Sequence, residues 1–199
     1  MDTYKTIMSK SESLFKDKGS KFIGYAFPVS SEKNIEEVLN ELKEAHPKAT
    51  HHCYAYKLGL ETTLFRANDD GEPSNSAGKP ILGQLDSFDL SNVFIVVVRY
   101  YGGTKLGVGG LQTAYKAAAK MAIENAPIIK KEIPTYHSIQ FPFDKQGIVD
   151  HLIKNISGKI LNKTFSHQCA YELEIPKAQS TRFLERIAMD RSVQLLTEN

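Results

Sequence analysis

Gly102, Gly103, Gly107, Gly109 and Gly110 crowd into one short stretch, RYYGGTKLGVGGLQTAY. A glycine-dense turn that feeds a helix leaves main-chain N–H groups aimed at one spot, which suits an anion or a phosphate. Arg99 and Lys105 flank the turn and could neutralise such a charge. Tyr100 and Tyr101 precede it and could stack on a base or on a partner's side chain. Glycine turns also serve tight strand–helix packing with no ligand at all. GxxxxGK[ST] does not occur, and GxGxxG would need glycine where Gln112 stands.

A second loop, NDDGEPSNSAGKP, gathers Asp69, Asp70 and Glu72 and ends in Lys79 at an expected helix start. Three acids so close suit a cation or a general-base cluster beside a phosphate site. They equally suit turn chemistry, since Asp-Gly and Glu-Pro form turns. Calcium-loop spacing is absent. His51-His52-Cys53 has the composition of a metal site. Adjacent strand residues point to opposite faces, however, so neither the histidine pair nor His52 with Cys53 can act together. No catalytic residue, metal or cofactor is therefore expected.

The elements that must position these loops follow from hydrophobic periodicity. Residues 93–98, all apolar and mostly β-branched, predict a strand buried on both faces. From Leu111 the pattern turns helical, with Leu111, Ala114, Tyr115, Ala118 and Ala122 on one face and Gln112, Lys116 and Lys120 off it. Upstream, strands are expected at 19–28, 52–58 and 62–67, the last two joined by a turn at 59–61. A helix capped by Ser31 bears Ile35, Val38, Leu39 and Leu42 and ends at Pro47. Residues 126–134 read as an extended connection or an edge strand. The rest gives β-α-β-β-α-β, with Asp144 as a cap for the first helix; this is the ferredoxin-like order. The expected fold class is α+β in two domains, 1–132 and 133–199.

The chain has 199 residues, 41% hydrophobic, with 25 basic and 23 acidic side chains spread throughout. A net charge of +2 is far from that of a strongly basic nucleic-acid protein, though a local basic patch would suffice. No apolar run reaches bilayer length, the first residues lack the apolar core of a signal peptide, and two distant cysteines suit reduced thiols. A cytoplasmic location is expected.

DDGEPSNSAGKPIL, VVRYYGGTKLGVGGLQTAY and HHCYAYKLG together resemble the signatures of the YigZ/IMPACT family, over residues 15–125. Thr113 departs from that pattern, because many relatives carry arginine there. The resemblance implies a first domain folded like a ribosomal small-subunit protein, domain IV of elongation factor G and the GHMP kinases. It implies a second domain like the ferredoxin-like domains of elongation factor G. In eukaryotic relatives the shared domain belongs to regulators of translation during amino-acid starvation. The expected function is a binding protein contacting RNA, the ribosome or a translation factor through the glycine loop and Lys79. A small phosphate- or nucleotide-binding enzyme and an interaction module without an anion site stand beside it as alternatives.

Overall fold

The computed structural model describes residues 2–60 and 64–196. The chain divides into two compact units, Tyr4–Lys131 and Glu132–Asn199, the latter with Met1–Thr3. Both mix helices with antiparallel sheet, so the protein is α+β with two domains.

The N-terminal region runs β1 (Thr3–Ile7), β2 (Ser11–Asp17), β3 (Ser20–Pro28), α1 (Glu32–Ala45), β4 (His51–Leu58), β5 (Leu64–Asn68), α2 (Gly78–Ser87), β6 (Val93–Tyr100), α3 (Gly107–Glu124) and β7 (Ile128–Glu132). Five of these strands form an antiparallel sheet in the order β2-β3-β6-β4-β5. Strand β6 lies at its centre, buried along its length except at Tyr100. Alternation divides its side chains. Val93, Ile95 and Val97 join the core formed with α2 and α3, whereas Phe94, Val96 and Val98 join the core formed with α1. Arg99 continues the first series and Tyr100 the second, which decides which of the two points at the glycine-loop side. Helix α1 starts as its sequence requires: the Ser31 hydroxyl accepts the Asn34 N–H at 3.2 Å.

Several boundaries move. Strands β1 and β2 are additions to the predicted set, and β1 pairs with β7, the segment read as a connection or edge strand. The expected turn at 59–61 and the first residues of its return strand fall partly outside the described residues. Helix α3 begins at Gly107 rather than Leu111, so Gly107, Gly109 and Gly110 are its first turn and not loop. Leu111, Ala114, Tyr115 and Ala118 are buried and pin the helix. The leading glycines extend it at positions whose N–H groups need no helical partner.

The C-terminal region runs β8 (Pro134–Phe141), a 3-10 turn (Phe143–Lys145), α4 (Gln146–Asn155), β9 (Lys159–Phe165), β10 (Cys169–Pro176), α5 (Lys177–Ala188) and β11 (Gln194–Leu196). Its antiparallel sheet has the order β11-β8-β10-β9, the ferredoxin-like arrangement. Cys169, Tyr171, Leu173 and Ile175 of β10 alternate into one core with Phe183 and Ile187 of α5. Asp144 does not cap α4. It sits in the 3-10 turn, and Lys145 at the cap position makes no side-chain bond to the helix.

Candidate functional site

The loop between β5 and α2 is organised by its own acids. Asp69 Oδ1 accepts the N–H groups of Ala77 and Gly78 at 2.9 and 2.8 Å, and Oδ2 accepts that of Asn75 at 2.9 Å. The start of α2 thus already holds an anion, supplied by the chain itself. Asp70 Oδ2 accepts the His52 N–H at 2.6 Å. Glu72 goes inward: its Oε1 accepts from Arg99 Nη1 at 2.5 Å and from the Tyr115 hydroxyl at 2.6 Å. The three carboxylates therefore point to three separate sets of partners. Among the described residues no group of three or more His, Cys, Asp or Glu side chains could hold a metal ion.

Arg99 consequently does not flank an open site. Its side chain is 7% exposed and that of Glu72 is 4%. Its guanidinium carbon lies 5.4 Å from the ring centres of Phe22 and Tyr101. A charge carried into the interior on an inward strand position must bring its counter-charge, and Glu72 supplies it. Around this pair lie His51, whose Nε2 is 3.9 Å from Glu72 Oε1, and Cys53, whose thiol donates to the Asp69 carbonyl at 3.0 Å. The Asp70 carbonyl can only accept, so His51 Nδ1, 2.7 Å away, carries the proton. Burial pushes the Cys53 thiol and the Tyr115 phenol far above their ordinary values, which removes Cys53 as a thiolate nucleophile. His51 and Cys53 share one face of β4 and His52 takes the other, as alternation requires. His51 and Tyr115 are members of this network that sequence reasoning did not assign, because only the Glu72 loop folding back on β6 and α3 joins them.

The remaining candidates separate by role. Tyr100 is tied down on the α1 side, its hydroxyl 2.9 Å from His46 Nδ1, whereas Tyr101 is 47% exposed. Gly102 packs so closely on the backbone of Gly19 and Ser20 that a Cβ has no room. Gly103 and Gly107 have φ of +86° and +73°, and glycine suits both. Gly110 is held close by the Leu106 side chain. Gly109 differs from all of these: its φ is not positive, and a Cβ there would meet nothing within 4 Å. Lys79 and Lys105 are exposed. Leu106, the N-cap of α3, makes no side-chain cap bond, and the first turn of the helix holds no acidic residue. Gly107, Val108 and Gly109 at that start are exposed, as is Lys105 beside them, whereas Asp69 closes the start of α2. Among the described residues no helix is long and apolar enough to cross a membrane.

Comparison with known proteins places this geometry. The Impact N-terminal domain model matches residues 18–123. The IMPACT family member of Haemophilus influenzae is 30% identical over 199 residues, covering 96% of this chain and 95% of that one. The IMPACT family member YigZ of Escherichia coli is 30% identical over 86% of this chain and 85% of its own. Among solved structures, one described as a hypothetical protein superposes with a TM-score of 0.79 at 28% identity, covering 100% of this chain and 98% of that chain. Both signature loops, the acidic one that closes over Arg99 and the glycine one that opens α3, lie inside the matched span, and the chain belongs to the IMPACT family.

Proposed function

We propose that this protein is a binding protein acting near translation, and that it takes the phosphates of RNA at the start of α3. The carrying observation is the contrast between two helix starts. Asp69 fills that of α2, while that of α3 is uncapped, glycine-lined and flanked by Lys105. Gly109 supports this reading on energetic grounds. Glycine costs a helix up to about 1 kcal/mol relative to alanine, and among the described residues nothing crowds a Cβ at this position. Close approach of an external group to the backbone is a reason to keep it. Tyr101 offers an exposed ring for a base, with the Arg99 guanidinium carbon 5.4 Å from its centre. The translation setting comes from the eukaryotic members that the signature loops resemble.

The test is binding of a single-stranded RNA across a salt series. Wild type should weaken as salt rises, and Lys105→Gln should lower the magnitude of the log–log slope by about 0.7, the increment for one neutralised phosphate on a single strand. Gly109→Ala should weaken binding while raising thermal stability. RNA binding that is absent or insensitive to salt would refute the proposal.

A further inference from the structure

A second basic feature lies beside the α3 start, with a different construction. Helices α2 and α3 enclose an open groove of about 500 Å³ lined by Asn75, Lys79, Pro80, Gln112, Thr113 and Lys116. Two lysines line it and, among the described residues, no aspartate or glutamate does. Among the described residues neither Lys79 nor Lys116 takes part in an ion pair, unlike Lys120, one turn beyond, which pairs with Glu124 at 3.5 Å. The polar lining is also sorted by what it can still offer. The Thr113 hydroxyl spends its proton on the Gly109 carbonyl at 3.0 Å, and Gln112 Nε2 donates to the Asn75 carbonyl at 3.3 Å, bridging the two sides of the groove. The primary amides of Gln112 and Asn75 each have a second N–H to give. Lys79 and Lys116 supply the rest, and such a set matches an anion with several acceptor oxygens.

We propose that this groove seats one phosphate group of an RNA strand, another phosphate of which meets the α3 start. The inference rests on the RNA reading above and extends it from one contact to a track. Gly109 and Lys116 stand on one helix, about 10 Å apart at 1.5 Å rise per residue. A single strand laid along the helix brings one phosphate to each of these two places. Lys79 faces the same groove from α2, so the bound strand is held from both helices. A free phosphate would need only the groove, whereas a strand needs both places at once.

The experiment compares wild type, Gly109→Ala and the double variant Lys79→Gln/Lys116→Gln, binding a fluorescent single-stranded RNA over a salt series. The double variant should bind several-fold more weakly, with the magnitude of the log–log slope reduced by about 0.7. Gly109→Ala should keep that groove increment. In parallel, pyrophosphate should shift the amide NMR signals of Gln112 and Thr113 in wild type and not in the double variant. A double variant with wild-type slope, beside a weakened Gly109→Ala, would overturn the groove inference and leave the RNA reading standing. No RNA binding by wild type would overturn both, and pyrophosphate shifts in that case would assign the groove to a free anion. Circular dichroism should show the wild-type spectrum for the double variant, as expected for changes at exposed lysines.

Discussion

Glu72 is held by Arg99 and Tyr115 in surroundings that water hardly reaches, so its charge is costly wherever its partner is missing. Removing one member of such a pair costs about 3–5 kcal/mol. Arg99→Ala should therefore destabilise the N-terminal unit by about that amount, and Glu72→Gln by somewhat less because the amide keeps hydrogen-bonding capacity. Urea unfolding followed by circular dichroism measures both, and a loss below about 1 kcal/mol for Arg99→Ala would show that the pair does not behave as buried. A second residue-scale outcome concerns pH. Burial holds the His52 imidazole below its ordinary value; the charges of Lys43 and His46 add to this and Asp70 opposes it. Among the described residues its buried Nε2 has no hydrogen-bond partner by distance and angle. The unfolded chain then binds a proton at His52 that the folded chain refuses. Stability is full above the unfolded value of about 6.5 and falls as pH drops through that point toward the lower folded value. His52→Gln should flatten the decline of the unfolding midpoint between about pH 7 and pH 5.5. An unchanged slope would place the titration elsewhere, for instance at His137, which burial also lowers.

At the scale of elements, the glycines around α3 divide by what surrounds them. Gly102 lies where the backbone of β6's following turn meets the β2–β3 turn, with no space for a methyl group. Gly102→Ala should destabilise the fold by about 1–3 kcal/mol, the range for overpacking. Gly109→Ala should do the reverse, adding up to about 1 kcal/mol, since a helical alanine replaces a glycine in open space. Thermal melts of the two variants should move in opposite directions. If both fall, Gly109 has an internal role and the energetic argument for an external ligand at α3 fails. The acidic loop belongs to the same scale: it is a structural clamp, with Asp69 closing α2, Asp70 holding β4 and Glu72 anchoring β6 and α3.

At the scale of the molecule, the C-terminal unit has its own core, built from Ile139, Phe141, Val149, Ile153, Tyr171, Leu173, Phe183 and Ile187. A fragment of residues 132–199 should fold by itself, giving a dispersed NMR spectrum and a cooperative melt. A collapsed spectrum would mean that this unit depends on the rest of the chain. A unit of that size has a small core, and its expected stability is only a few kcal/mol.

Much of the architecture is set by local pattern. The unbroken apolar run at 93–98, the alternation in 169–175, the Ser31 cap and the apolar stripes of α1 and α3 each lie within one element, and each is legible because burial imposes the pattern. Strands β1 and β2 are less legible, as their burial depends on β7, β3 and α3, which are distant in sequence. The family was written in two loops whose residues stand in unbroken order. What those residues do was not. Arg99 reads as an exposed cation beside glycines, and only the tertiary fold turns it inward, because strand phase puts it on the α2–α3 face and the loop delivers Glu72 to meet it. Asp69, Asp70 and Glu72 read as a cluster, and only folding aims them at different partners. Gly109 stands out from its neighbours only once the space around each glycine is known. The pairing of Lys79 with Lys116 across a groove likewise required α2 and α3 to pack side by side, which no spacing along the chain encodes.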